Sequence, residues 1–228
     1  MNANNPIFNI EGLVAALNGA LPGSAAHERM RPAGRSLDLP PSKENIKTSA
    51  VMALLYRKEN EIYICLTKRN KALRHHPGQI SFPGGRAEEN EIQQPLKTAL
   101  RETHEEIGIA PAEIELLGSL SPLYVPVSNF LIHPYVGYCE HEPDFVVNHQ
   151  EVDQLLTIPL RELLNTQNQI NQKVNTSTGS IDVPCYQING HIVWGATSMI
   201  LAELEAILRQ HYSHRAIHSD NVHSDPTP

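Results

Sequence analysis

Positive charge is in short supply in this sequence: 18 lysines and arginines stand against 25 acidic residues, for a formal net charge of −7. A chain of that balance has no bulk attraction for nucleic acid or polyphosphate, so phosphate chemistry would need local arginines or bound cations. Cysteine is scarce as well. Cys65, Cys139 and Cys185 are odd in number, far apart and in no CxxC or zinc spacing, which excludes a disulfide framework and a zinc knuckle and suits a reducing cytosol. Long apolar runs are missing, and no segment approaches the ~18 residues of a membrane span. The first residues lack the basic and apolar parts of a secretory leader, and the last carry no lipidation or peroxisomal signal. The expected setting is therefore cytoplasmic, with no membrane and no nucleic-acid partner. What is present, 40% apolar and 19% charged residues, suits one compact domain with decorated ends, since domains commonly run ~100–200 residues.

Along the chain, Ile7, Ile10, Leu13, Val14 and Leu17 recur with a helical period and predict a short docked helix over 7–18. A proline- and glycine-containing lead-in follows over 21–46. Strands are expected at 49–56 and 61–66, joined as a hairpin through 57–60. The segment 67–85, with two prolines and three glycines, reads as a structured loop. A helix is predicted over 95–107. Pro95 suits its first position, where the missing N–H costs little, and Gly108 suits its left-handed end. Further strands are expected at 114–120, 131–139 and 155–158, and a last helix at 197–210. From His211 the chain is polar, and His211, His214, His218 and His223 read as part of a disordered, solvated tail. The divisions are thus 1–46, 47–210 and 211–228.

The chemistry concentrates on the central helix. In Arg101-Glu102-Thr103-His104-Glu105-Glu106 the helical repeat stacks Glu102 on Glu106 and sets Glu105 beside them. Like charges so close repel, and they lie at the helix end whose dipole disfavours anions. No lysine follows at i+4 to relieve them. A solvated acidic face is the bland alternative. Two penalties at one place point instead to a compensating hard cation, Mg²⁺ or Mn²⁺.

Gly85, five residues, Glu91, then Arg101-Glu102-Thr103-X-Glu105-Glu106-X-Gly108-Ile109 resembles the signature box of the Nudix hydrolase family. Two departures stand out. Nine residues separate Glu91 from Arg101 where the family pattern has seven, and Thr103 occupies an aliphatic position. The resemblance implies a Nudix-type α/β/α sandwich with a mixed sheet, and Mg²⁺ or Mn²⁺ bound by Glu102, Glu105 and Glu106. Arg101 would orient these glutamates through its planar fork. Which of Glu88, Glu89 and Glu91 fills the box's first acidic place is open. Asn148-His149-Gln150-Glu151-Val152 resembles the family segment that carries a further acidic ligand, here Glu151.

Leu66-Thr67-Lys68-Arg69, Arg74, Gly78 and Phe82-Pro83-Gly84-Gly85 resemble, with every spacing kept, the motif of the family's coenzyme A pyrophosphatase branch. Cys65 replaces its first leucine and Asn70 its serine. The resemblance implies hydrolysis of coenzyme A or acyl-coenzyme A to 3′,5′-ADP and (acyl-)4′-phosphopantetheine. Arg69 and Arg74 would bind substrate phosphates, and Gly84 and Gly85 would let backbone approach it. Val193-Trp194-Gly195-Ala196-Thr197 resembles the branch's lead into its last helix; Trp194 either stacks on adenine or packs in the core. The rival readings are a Nudix hydrolase of ADP-ribose or another nucleoside diphosphate derivative, and a non-catalytic Nudix-like ligand sensor. In the catalytic readings the partner is a small-molecule substrate, and a homodimer is left open.

Overall fold

The computed structural model describes residues 9–40, 45–59, 61–73, 77–176 and 179–219, with side chains described as far as Arg209. Ile7, Asn60, Arg74, His75, His76 and residues 220–228 lie outside this set, as do the side chains of the tail histidines. The elements run α1 (Ile10–Leu17), α2 (Ser24–His27), β1 (Lys47–Lys58), β2 (Glu61–Arg69), β3 (Ile80–Ser81), β4 (Gly84–Arg86), α3 (Pro95–Ile107), β5 (Glu115–Ser119), β6 (Leu123–Val125), β7 (Phe130–Cys139), β8 (Val152–Pro159), α4 (Leu160–Leu164), β9 (Gln169–Thr176), β10 (Gly179–Ile188), β11 (His191–Trp194) and α5 (Ala196–Ser219).

β1 organises the molecule. Its side chains alternate in direction: Ala50, Met52, Leu54 and Tyr56 pack with Ala99 and Ile107 of α3, whereas Ala53 and Leu55 join Leu13 and Leu17 of α1 and the apolar side of α5. Both faces are covered, so the strand reads as an almost unbroken apolar run. Helices on two sides of one sheet make the α/β/α sandwich expected from the sequence. β1 runs parallel to β7, and the other pairings are antiparallel, so the sheet is mixed.

β1 and β2 pair only near their hairpin, from Leu55↔Ile64 to Lys58↔Glu61. Beyond that they diverge, and the segment expected to be loop fills the gap: β3 pairs with β2 at Thr67 and Lys68, and β4 pairs with β1 at residues 49–51. Proline and glycine content concealed these pairings because each strand is two or three residues long. Both hairpin strands also extend further than expected, to Lys58 and from Glu61 to Arg69.

A separate antiparallel sheet, β11-β10-β9, was not anticipated. Its strand β9, largely polar, lacks the apolar alternation by which a half-buried strand is recognised. α5 continues to Ser219, past the expected end at 210. Two fully buried carboxylates tie α5 to the rest. Glu203 accepts from the Gly23 N–H, His27 Nε2, the Ser121 N–H and Ser121 Oγ. Glu205 accepts from Arg29, Gln169, Tyr186 and Arg209. The lead-in is thereby fastened to α5 by saturated polar contacts as well as by apolar burial.

Candidate active site

α3 presents one face to the sheet and another to β4. Ala99, Thr103 and Ile107 point inward, and the Thr103 hydroxyl, at a box position that is usually aliphatic, donates to the Ala99 carbonyl at 2.6 Å. A polar atom is therefore buried there without an unmet bond. Gly108 ends the helix in the left-handed conformation predicted for it. Ahead of the helix, residues 88–94 turn back on themselves through the Glu91 N–H to the Glu88 carbonyl (2.9 Å) and the Gln94 N–H to the Glu91 carbonyl (2.7 Å). The two extra residues are absorbed without moving Arg101 out of reach of Glu91.

Of the three acids left open for the box's first place, Arg101 bonds the Glu91 carboxylate. Arg101 grips Glu91 with two nitrogens, Nε to Oε1 and Nη2 to Oε2, both at 3.0 Å. Thr98 Oγ1 and the Glu88 N–H also donate to Glu91. The Arg101 bonds, first among several causes, hold the Glu91 carboxyl down at about 2. Nη1 of the same arginine donates to Glu102 at 2.8 Å and to Glu105 at 2.9 Å. One fork thus holds three carboxylates, with Glu91 as its fixed anchor.

Glu102 and Glu106 lie beside Glu151, with one carboxylate oxygen of each within 4.8 Å of the others. Glu105 lies outside this cluster, half-exposed, with its carboxylate on Arg101. Glu106 is 1% exposed, and its Oε2 has no hydrogen-bond partner among the described residues. Burial raises its pKa to about 8, with the charges of Glu102 and Glu151 adding to the rise and Arg69 opposing it. Burial also raises Glu102, against the pull of Arg101. Buried carboxylates facing one another with an unpartnered oxygen are relieved by a proton or by a cation. The all-oxygen donor set fits a hard divalent one.

The cluster is assembled from three parts of the chain. Gly85 on β4 lies directly under Glu102: a Cβ there would come within 2.4 Å of the Glu102 Cδ. A Cβ on Gly84 would stand 2.4 Å from the Ala50 carbonyl oxygen of β1. Both predicted glycines thus have reasons within the protein for lacking a side chain, the first as a floor for Glu102 and the second as a strand contact. Glu151 arrives on a turn pinned to the end of α3, where the Val146 and Asn148 N–H groups donate to the Ile107 and Glu106 carbonyls, each at 3.0 Å.

Arg69, at the end of β2, places Nη1 at 3.7 Å from Glu106 Oε1. Arg74, its predicted partner in phosphate binding, falls outside the described residues. Trp194 closes β11 opposite Cys185 and is half-buried, apart from both core clusters. The sequence reading missed the anchoring work of Asn70 and Asn148. Asn148 Oδ1 accepts the Gln150 N–H two residues on, a local turn that an asparagine before a polar run can signal.

Comparison with known proteins agrees with this geometry. The model of the NUDIX domain matches residues 46–176. The chain belongs to the Nudix family. Among curated relatives, the protein named uncharacterized Nudix hydrolase NudL from Enterobacter sp. (strain 638) is 32% identical over 160 residues, covering 70% of this chain and 82% of the relative. The NudL of Photorhabdus laumondii is 31% identical over 172 residues, covering 74% and 90%. Among solved structures, a NUDIX hydrolase from Alicyclobacillus acidocaldarius aligns over 76% of this chain and 96% of its own, with a TM-score of 0.49 at 16% identity. A C. elegans Ap4A hydrolase aligns over 75% and 98%, with a TM-score of 0.48 at 14% identity. These two alignments are too distant to bear on substrate. The chain is a Nudix hydrolase. Among the described residues no helix is long and apolar enough to cross a membrane.

Proposed function

We propose that this Nudix hydrolase cleaves the diphosphate of coenzyme A or an acyl-coenzyme A, giving 3′,5′-ADP and (acyl-)4′-phosphopantetheine. Glu102, Glu106 and Glu151 would hold Mg²⁺ or Mn²⁺. When bound, such a cation supplies neutralising charge to the diphosphate and lowers the pKa of the attacking water. The protein's own contribution is placement. Arg101 fixes Glu102 against Glu91 and draws Glu105 outward, Gly85 leaves Glu102 room, and the turn at 148–151 aims the third carboxylate. The net addition is one water across the P–O–P bridge, with its hydroxyl on one phosphorus and its proton on the departing phosphate.

One observation carries the choice of substrate. Arg69, the first arginine of the coenzyme A motif, stands beside Glu106, so the loop that would select the substrate meets the carboxylates that would cut it. Arginine forks suit a ligand that carries a further phosphate besides its diphosphate. Cytoplasmic residence accords with this substrate class and with three buried, unpaired cysteines. The test is a panel of coenzyme A, acetyl-coenzyme A, ADP-ribose and dinucleotides, each with Mg²⁺ and with Mn²⁺, with products read by mass. Release of 3′,5′-ADP from a coenzyme A ester supports the reading. AMP from ADP-ribose with coenzyme A left intact would overturn it in favour of another Nudix activity.

A further inference from the structure

The arginine loop and the Glu151 turn come from distant parts of the chain, and Asn70 joins them beside the Arg69–Val152 pairing of β2 with β8. Asn70 directly follows Arg69. Its main-chain N–H donates to the Glu151 carbonyl at 2.8 Å, and its Nδ2 donates to the His149 carbonyl at 2.7 Å. Its Oδ1 faces the other way and accepts the Ala72 N–H at 2.9 Å. Two bonds therefore hold the backbone at 149–151, and one shapes the start of the loop after Arg69.

Among the described residues the Glu151 carboxylate has little to hold it directly. Asn148 Nδ2 reaches its Oε1 at 3.5 Å, the outer limit of a hydrogen bond. Its place beside Glu102 and Glu106 is set by the backbone that carries it. That backbone is gripped from two sides, by α3 through the Asn148 N–H on the Glu106 carbonyl and by β2 through the Arg69–Val152 ladder pairing and Asn70. Without the Asn70 amide, the turn keeps its attachment to α3 and loses its side-chain attachment to β2. The serine of the coenzyme A pattern offers one hydroxyl at this position. The asparagine offers a donor and an acceptor at opposite ends of a planar amide, which lets it hold both segments at once.

We propose that Asn70 is a positioning residue that aims Glu151 at the other two carboxylates and ties the cation site to the substrate loop. The inference rests on the reading of Glu102, Glu106 and Glu151 as cation ligands. It is tested with Asn70→Ala and Asn70→Asp against wild type. Mn²⁺ binding is measured without substrate, from the electron paramagnetic resonance signal of the free ion, and thermal unfolding of each protein confirms that it is folded. Aspartate keeps an oxygen for the Ala72 N–H but cannot donate to the His149 carbonyl. Both variants should therefore bind Mn²⁺ about tenfold more weakly, the lower end of the effect of losing an outer support of a metal ligand.

The two should separate in kinetics at saturating Mn²⁺, on whichever diphosphate substrate wild type turns over. Asn70→Asp keeps the parent KM, and Asn70→Ala raises it because the loop is also released. A purely structural asparagine would not divide its effects in this way. If both folded variants bind Mn²⁺ as wild type does, the proposed role of Asn70 is wrong while the cation site stands. If Asn70→Ala fails to fold, Asn70→Asp alone decides the binding arm. Wild type that binds no Mn²⁺ and hydrolyses no diphosphate would instead sink the underlying reading.

Discussion

Cation binding by this protein should weaken as the pH falls through neutrality, because one of the candidate ligands holds a proton there. Burial moves the Glu106 carboxyl from 4.5 to about 8, so at pH 7 roughly nine-tenths of cation-free molecules carry that proton. A divalent cation takes the ionised carboxylate. Binding at pH 7 should therefore release about one proton, and affinity should drop about tenfold for each pH unit below 8. Stability without cation follows the same linkage. The folded state retains a proton between pH 4.5 and 8 that the unfolded chain has lost, so this contribution is complete below 4.5 and is lost as the pH rises through 8. Added Mn²⁺ should restore stability most strongly at the alkaline end, since a ligand of the folded state alone stabilises it. Isothermal titration of Mn²⁺ into the protein at pH 7, in two buffers of different ionisation enthalpy, counts the released protons. Glu106→Gln should abolish the buffer dependence. An affinity that stays flat between pH 6 and 8, with no proton released, would refute the reasoning, because the Glu106 carboxylate would then be either ionised throughout or unused.

Three other outcomes are expected. Gly85→Ala should fold normally yet lose about 10²-fold in turnover, the effect of displacing an active-site group by about 1 Å, because its methyl would meet Glu102; near-parent turnover with intact thermal unfolding would show that Glu102 need not sit where it does. Glu105→Gln should cost far less activity than Glu106→Gln, because Glu105 lies outside the carboxylate cluster; equal losses under saturating Mn²⁺ would return Glu105 to the ligand set. Glu203→Ala, far from the chemistry, should destabilise by about 3–5 kcal/mol in urea unfolding, as when one partner of a buried ionic network is removed, since it strands the buried His27 and the Ser121 donors. Its turnover per folded molecule should remain that of the parent.

Much of this protein was legible in its sequence. The helical repeat places Glu102 and Glu106 on one face whatever surrounds them, and Pro95 and Gly108 mark the ends of that helix because their backbone preferences are local. The almost unbroken apolar run of β1 is equally local, and the resemblance carried by the box spacing implies the sandwich and a cation-dependent chemistry. Tertiary structure decided what local preference cannot reach. Glu151 joins the cluster only because the turn at 148–151 docks on the end of α3. Glu105 leaves it because Arg101, held on Glu91, draws it outward. Gly85 needs to be glycine because Glu102, on the helix that follows, lays its carboxylate on it. The three-stranded sheet and the buried Glu203 and Glu205 were hidden because polar side chains give no periodic signal until packing supplies their partners. Helix phase and turn chemistry are written in neighbouring residues, whereas the meeting of carboxylates from separate segments depends on contacts that exist only once the chain has folded.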